Sequence, residues 1–179
     1  MTSERPAEEE LDTPERIYAR LIAGAGAGAG ALAATAGDAS EGDAPPNERR
    51  VLAVIWATVD RDRVLADLDV AAERLAEDPH LGASVTLVRP ADGHPIAILE
   101  PVTEGRLAAT LARRGEGPAG EYVETPLSLE AIGGAAAAAG LVIGRPADGP
   151  FGRSVLVLPR RAGGPHLVLV EPSAGTIGR

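Results

Sequence analysis

Two stretches of this chain are versions of each other, and this repeat limits the possible folds more than any other feature. Residues 83–101 read ASVTLVRPADGHPIAILEP, and residues 153–172 read RSVLVLPRRAGGPHLVLVEP. With one gap, both copies run as a strand, a Gly-containing turn, a second strand and a closing Glu-Pro. A strand-like segment and a helix-like segment precede each copy. The sequence therefore predicts a duplicated βαβββ unit.

The composition limits the functions that such a fold can carry. The chain has 179 residues and a net charge of −9, so nothing favours binding to nucleic acid or to an anionic membrane surface. It contains no Cys, which excludes disulfides, thiolate nucleophiles and Cys-ligated zinc. The acidic N-terminus lacks the apolar core of a signal peptide, and no apolar run is long enough to span a bilayer. We expect a soluble, cytoplasmic protein that binds neither nucleic acid nor membrane.

Residues 1–48 differ in composition from the rest of the chain. Thr13 and Pro14 are typical of a helix N-cap and first turn, but the segment continues into AGAGAGAGAL and an acidic stretch with two prolines. Such a composition buries too little apolar surface to offset the entropy of ordering. The sequence predicts a flexible, acidic, Ala/Gly-rich leader with one possible short helix. Removing residues 1–47 is then expected to change the stability of the core little.

The hydrophobic pattern indicates a single domain over residues 49–179. It begins with a strong strand at 51–60 and continues with a helical stripe at 61–78. The segment VIGRP reads as a strand of the second module, and only LGA at 81–83 corresponds to it in the first. The predicted parts are module one (50–102), the junction (103–118) and module two (119–175).

The junction carries a recognisable phrase. It reads Ile-Leu-Glu-Pro at 98–101, then Leu-Ala-Arg-Arg-Gly-Glu-Gly at 111–117, then Glu-Tyr-Val at 121–123. In this order the residues resemble the vicinal oxygen chelate superfamily of glyoxalases, bleomycin-resistance proteins and dioxygenases, and above all its methylmalonyl-CoA epimerase-like members. The resemblance implies an α+β fold, in which two paired βαβββ modules form an open, cup-shaped mixed sheet with helices outside. It also implies a homodimer.

The resemblance further implies a metal site inside the cup. Metal-dependent members hold a divalent ion with His, Glu or Gln from the first and last strands of each module, and the ion polarises a carbonyl or stabilises an enolate. The corresponding positions here are Ala53, Gly120, Ala97 and Val168, with Ala119 replacing Gly120 if the register slips by one. None of these side chains has a donor atom. We therefore expect no cofactor; a divalent metal would fit only if this strand register is wrong.

Without a metal, the cup is expected to bind a ligand directly. Aromatic residues make up only 2% of the chain, so a small or aliphatic ligand is favoured over a flat aromatic one. The residues predicted to line the cup are Ala53, Ile55, Ala97, Gly120, Tyr122 and Val168.

Four side chains remain as catalytic candidates. Tyr122 and Glu124 share a strand face with Gly120, so Tyr122 could act as a donor and Glu124 as a base. Glu100 and Glu171 end the two closing strands and could act as an acid–base pair or bind a cation. Their odd spacing from the cup positions instead favours solvated strand ends that cap the turn.

Histidines and arginines offer weaker signals. The three histidines are not at metal-ligand spacing, although His166 opens the last strand and could face the mouth of the cup. Arg106, Arg113 and Arg114 lie around the inter-module helix and could hold a carboxylate or phosphate. Exposed arginines on a helix are, however, usually solvated.

Three functions are compatible with the sequence, in this order. The first is a metal-free glyoxalase-fold protein that binds a small molecule or serves as an auxiliary protein. The second is an isomerase or lyase of the glyoxalase/epimerase type, acting on a small carbonyl or acyl-CoA substrate. The third is a non-catalytic dimeric interaction scaffold. Fold similarity alone cannot choose among them.

Overall fold

The computed structural model describes residues 13–29, 49–68, 70–158 and 164–172, which form four helices and one mixed sheet of nine strands. None of these helices is both long and apolar enough to cross a membrane. The helices are α1 (Pro14–Ala29), α2 (Arg61–Leu68), α3 (Arg106–Arg114) and α4 (Leu129–Ala138). The strands are β1 (Arg50–Ala57), β2 (Ala72–Arg74), β3 (Ala83–Val88), β4 (Ile96–Pro101), β5 (Gly117–Glu124), β6 (Val142–Ile143), β7 (Ala147–Gly149), β8 (Gly152–Leu158) and β9 (His166–Val170).

Two βαβββ modules share this sheet edge to edge. The strand order is β2-β3-β4-β1-β5-β9-β8-β6, and β7 also pairs with β8. In each module the first and last strands run parallel, and the repeated hairpin beside them is antiparallel. An antiparallel pair of β1 and β5 joins the modules. The predicted α+β class, with two paired modules and a mixed sheet that is not closed into a barrel, is confirmed.

The joint between β1 and β5 shows that the duplication extends to individual residues. Val54 pairs with Glu121 at its centre, and one shift in register lies on each side of that pair. Just after each strand, Thr58 and Thr125 are fully buried, and their N–H groups donate to the last strand of the same module. Each hydroxyl oxygen also accepts the N–H two residues later. The same turn therefore ends the first strand of both modules.

The first module differs from the sequence-based prediction after its helix. The stripe over 61–78 predicts one helix, but α2 ends at Leu68, and Ala72–Arg74 form the edge strand β2. The helix prediction is therefore wrong beyond residue 68. Ala72, Glu73 and Arg74 all favour helices, but pairing with β3 satisfies their backbone, and such tertiary context overrides helical propensity. The counterpart of β6 is thus β2, and not the segment at 81–83.

The repeated hairpins differ more than a one-gap alignment indicates. That alignment sets Val85 beside Val155. In the structure Val85 pairs with Leu99, and Ser154 pairs with Val170. Leu99 and Val170 are equivalent, because each accepts the N–H group of the buried threonine of its module. The residue equivalent to Val85 is therefore Ser154. The second hairpin is therefore two residues longer. Val85 and Val155 consequently lie on opposite faces of the sheet, since side chains alternate along a strand.

Buried apolar side chains form two clusters, one on each face of the sheet. The concave cluster lies between the modules and combines residues of six strands with Leu107 of α3. The outer cluster lies on the convex face of module two, where α4 and α1 cover it. On module one, by contrast, α2 has no buried residue. Most helical packing is therefore concentrated on module two.

Helix α1 is packed on the outer cluster through one face. Thr13 caps it, with its hydroxyl oxygen 3.4 Å from the N–H of the third helical residue. Ile17, Tyr18 and Leu21 follow at helical spacing and are buried at 4%, 3% and 0% exposure. Helix α1 is therefore part of the packed structure through these three residues. Residues 30–48 lie outside the described part of the chain, and the domain division near residue 48 stays a prediction.

The Ala-Gly alternation within α1 allows close contact with α4. A Cβ added at Gly24 would lie 2.7 Å from the backbone oxygen of Ala135. Arg20 donates a 3.0 Å hydrogen bond to the backbone oxygen of Ala139 at the end of α4. A sequence with little apolar bulk is thus held in a helix, because its small residues let two helix backbones approach each other.

Candidate functional site

The residues predicted to line the cup come together on the concave face. Ala53, Ile55, Ala97 and Val168 are fully buried, and Tyr122 is 1% exposed. All five belong to the concave apolar cluster, which also includes Leu107 of α3. These positions therefore lie on one face of the sheet, where their side chains pack against each other. Ligand binding at this face stays a prediction.

The four positions that correspond to metal ligands in the fold family do not fit a metal. Ala97 pairs with Ile55 just as Val168 pairs with Tyr122, so Ala97 and Val168 are equivalent. Ala53 lies two residues before Ile55, and Gly120 lies two residues before Tyr122, so Ala53 and Gly120 are equivalent as well. None of the four residues has a donor atom. Among the described residues, no three His, Asp or Glu side chains are arranged to hold a metal ion.

Gly120 occupies its position for a steric reason. It pairs with His166 at the start of β9, and its φ is +154°. A methyl group at this Cα would overlap the backbone of His166. A side chain that could ligate a metal is excluded here by the same contact, because any Cβ would meet the neighbouring strand.

A buried carboxylate that the sequence did not indicate lies against the cup. Asp78 is 1% exposed and stands in the loop between β2 and β3. The hydroxyl of Tyr122 donates to its Oδ2 at 2.5 Å, and the N–H groups of His80 and Leu81 donate to its Oδ1 at 2.7 and 3.0 Å. Nε2 of His80 lies 3.2 Å from the backbone oxygen of Ser154. This loop of module one is therefore anchored in module two.

The environment of Tyr122 keeps its phenol protonated. Burial raises the pKa of Tyr122 well above its usual value, and the negative charge and hydrogen bond of Asp78 raise it further. The ring of Phe151 packs against it with the ring centroids 4.8 Å apart. Tyr122 can therefore donate a hydrogen bond, and it is not available as a phenolate at neutral pH. Its partner is Asp78 and not the predicted Glu124.

His166 provides a second buried polar group on the same face. It is 4% exposed, and its Nε2 lies 2.9 Å from Oγ1 of Thr110 on α3. The Thr110 hydroxyl donates to the backbone oxygen of Arg106 at 3.1 Å, so it accepts the hydrogen of His166 Nε2. Nδ1 then carries a lone pair, and it has no hydrogen-bond partner in the described part of the chain. Burial, followed by the charge of Arg106, lowers the pKa of His166 to about 4.

The buried histidine predicts a specific pH dependence of stability. His166 is neutral in the folded state down to pH about 4, whereas it protonates near 6.5 when unfolded. The unfolded state therefore takes up the proton first, and the free energy of unfolding falls as the pH drops from 6.5 towards 4. A shift of this size is worth about 3 kcal/mol. Urea denaturation at several pH values, compared between the protein and His166→Gln, measures it.

Only the difference between these two proteins reports on His166, because carboxylates titrate in part of the same range. Replacing the exposed His94 by Gln is the matched control for the loss of a histidine. Parallel profiles for the protein and His166→Gln would contradict the buried, neutral histidine.

The three predicted glutamates have separate partners. Glu124 forms an ion pair with Arg50 at 2.8 Å. Glu100 lies 3.7 Å from Arg61, the first residue of α2, and Glu171 accepts a 3.3 Å hydrogen bond from the N–H that begins α4. Glu100 and Glu171 thus each contact the helix start of their own module, which agrees with strand ends that cap. The structure does not bring the predicted carboxylates together with Tyr122.

Sequence reasoning missed Asp78 and gave His166 little weight. An Asp before a Pro normally indicates a turn, and no local pattern shows that this turn is inserted between two modules. His166 did carry a signal, since it opens a strand next to Gly120 in the predicted register. Its burial depends on α3, whose position follows from tertiary packing.

Comparisons with known proteins agree with this architecture. No protein-family model and no curated protein matches the sequence. A hypothetical protein from Bacillus halodurans is 20% identical with a TM-score of 0.58, over 73% of this chain and 99% of that one. Methylmalonyl-CoA epimerase from Mycobacterium tuberculosis is 22% identical with a TM-score of 0.58, over 69% and 88%. The epimerase from Streptomyces coelicolor, in complex with 2-nitronate-propionyl-CoA, is 20% identical with a TM-score of 0.58, over 70% and 95%.

Similarity at this level of identity concerns the fold. The vicinal oxygen chelate fold that the junction phrase and the repeat indicated is confirmed by these structures. The activity and the ligand named for the epimerases are properties of those proteins.

Proposed function

We propose that this protein is a cytoplasmic, metal-independent protein of the vicinal oxygen chelate fold, which binds a small molecule or serves as an auxiliary protein. One observation carries the proposal. Every position that corresponds to a metal ligand in this fold is filled by Ala53, Gly120, Ala97 or Val168, and Gly120 cannot be exchanged for a larger residue without a backbone overlap. A homodimer is part of the proposal, on the resemblance to the superfamily alone.

The chemistry of the concave face favours a small ligand. Its lining is aliphatic except for Tyr122, Phe151 and the buried polar groups beside them. Such a lining favours aliphatic parts of a ligand through the hydrophobic effect, while a few polar groups set its orientation. Leu107 of α3 packs against this lining.

An isomerase or lyase is the alternative that a specific observation favours. His166 places a neutral imidazole, with a lone pair on Nδ1, on the same concave face as the Tyr122–Asp78 hydrogen bond. A proton acceptor at a fixed position is one of the groups that proton transfer next to a carbonyl requires. This alternative uses residues other than the predicted Glu124, Glu100 and Glu171.

Metal analysis tests the proposal directly. The purified protein, before and after dialysis against EDTA, is expected to contain well below one divalent ion per chain. Its melting temperature should be the same in both states, because a metal that binds only the folded state would stabilise it. A stoichiometric ion that resists dialysis, with a melting temperature that falls when it is removed, would overturn metal independence.

A further inference from the structure

The unpaired nitrogen of His166 requires a hydrogen-bond donor. A buried acceptor without a partner costs about 1–3 kcal/mol, so native structures normally satisfy it with protein, water or a ligand. Thr110 fixes the tautomer from the other side of the ring, so Nδ1 can only accept. Within the described residues nothing donates to it. The missing partner must therefore carry an O–H or N–H group.

The position of this nitrogen points to the concave face. His166 pairs with Gly120, and Tyr122 pairs with Val168 two residues further along the same strands. The side chains of His166 and Tyr122 are therefore diagonal neighbours on one face. Gly120 has no side chain between them. A small molecule on this face would meet the imidazole next to a phenol already bonded to Asp78.

The charges around the imidazole select the class of ligand. Arg106 and Arg114 of α3 act on His166 with a positive field, and Asp78 opposes them. Arg106 lies one helical turn before Thr110, whose hydroxyl donates to the backbone oxygen of Arg106, so both residues occupy the same side of α3. A positive field disfavours an ammonium donor. It favours a neutral donor attached to an anionic group.

We propose that the concave face binds a small hydroxycarboxylate, whose hydroxyl donates to Nδ1 of His166 and whose carboxylate pairs with Arg106. This inference rests on the proposed function, because it places the ligand in the same cup. The anionic end explains the choice of arginine, since a guanidinium forms paired hydrogen bonds with a carboxylate. The hydroxyl supplies the donor that Nδ1 lacks among the described residues.

The test uses the full-length protein with ¹⁵N-labelled histidine at constant ionic strength. Glycolate carries both groups, acetate only the carboxylate, and ethylene glycol only hydroxyls. We expect glycolate to shift the Nδ1 resonance of His166 saturably, and the other two to have no effect at the same concentration. Equal effects of glycolate and acetate would overturn the proposal and leave water as the donor.

Two exposed arginines of α3 supply matched variants. Arg106→Gln is expected to weaken glycolate binding about tenfold, because it removes a hydrogen bond to a charged group. Arg113→Gln should leave it unchanged, because the guanidinium of Arg113 donates to the backbone oxygen of Ala109 on its own helix. Equal affinities in the two variants would overturn the assignment of Arg106.

The two proposals fail in different ways. If glycolate leaves His166 unaffected while the protein is free of metal, the hydroxycarboxylate site is wrong and metal independence stands. If the protein holds a stoichiometric metal, the proposed function is wrong, whatever glycolate does.

Discussion

Deleting residues 1–29 is expected to lower the free energy of unfolding by about 5 kcal/mol. Ile17, Tyr18 and Leu21 are buried by α4 and the sheet of module two, and each such side chain contributes about 1.5–3 kcal/mol. Typical domains have about 5–15 kcal/mol in total, so the truncated chain should be close to unfolding. Urea denaturation followed by circular dichroism measures the change. The composition of the leader alone predicts the opposite, that its removal has little effect.

Point substitutions separate packing from mere chain length. Leu21→Ala should lose about 2–5 kcal/mol, whereas Ala19→Ser on the exposed side of α1 should stay within about 0.5 kcal/mol. Gly24→Ala should destabilise because of the contact with Ala135, while Gly133→Ala on α4 has open space and should gain about 0.5–1 kcal/mol. A truncation as stable as the full chain would show that α1 does not pack in solution.

Asp78→Ala is expected to lower the free energy of unfolding by about 3–5 kcal/mol. The substitution leaves the donors of Tyr122, His80 and Leu81 buried without an acceptor, and each unsatisfied group costs about 1–3 kcal/mol. The loop also holds the two modules together, so its release exposes part of the concave cluster. Urea denaturation at pH 7 measures the effect.

A milder substitution and a surface substitution serve as controls. Tyr122→Phe keeps the ring and removes one of the three hydrogen bonds of Asp78, and about 1–3 kcal/mol should be lost. Asp92→Ala, in the exposed turn between β3 and β4, should be near neutral. If Asp78→Ala and Asp92→Ala have the same stability, the carboxylate does not anchor the loop.

The elements that depend on local pattern were predictable from the sequence. The repeated hairpins, β1 and α4 have strong periodicity and clear turn residues, and their duplication is enough to indicate the modular sheet. The equivalence of Ala97 and Val168, in the last strands of the two modules, follows from that duplication. Even so, two extra residues in the second hairpin shift one strand by a residue and reverse the faces of Val85 and Val155. The alternation of residues along the strands does not show how many extra residues a turn contains.

The elements that depend on distant contacts were not predictable. The strand β2 exists because β3 offers it a partner, and its own residues read as the end of a helix. The first helix is held through Gly24 and α4, while its composition is typical of a flexible segment. Asp78 becomes a structural centre only because Tyr122 of the other module reaches it. In each case the deciding interaction joins residues far apart in the chain.

The contact between α1 and α4 can form only after α4 has been synthesised. Arg20 and Ala139 are separated by 119 residues. At a translation rate of about 5–20 residues per second, α1 is synthesised roughly 6–24 seconds before the end of α4. During that interval the apolar face of α1 has no partner on its own chain and is open to chaperones. Helix α1 is therefore synthesised well before it can dock, and a chain stalled before α4 keeps it exposed.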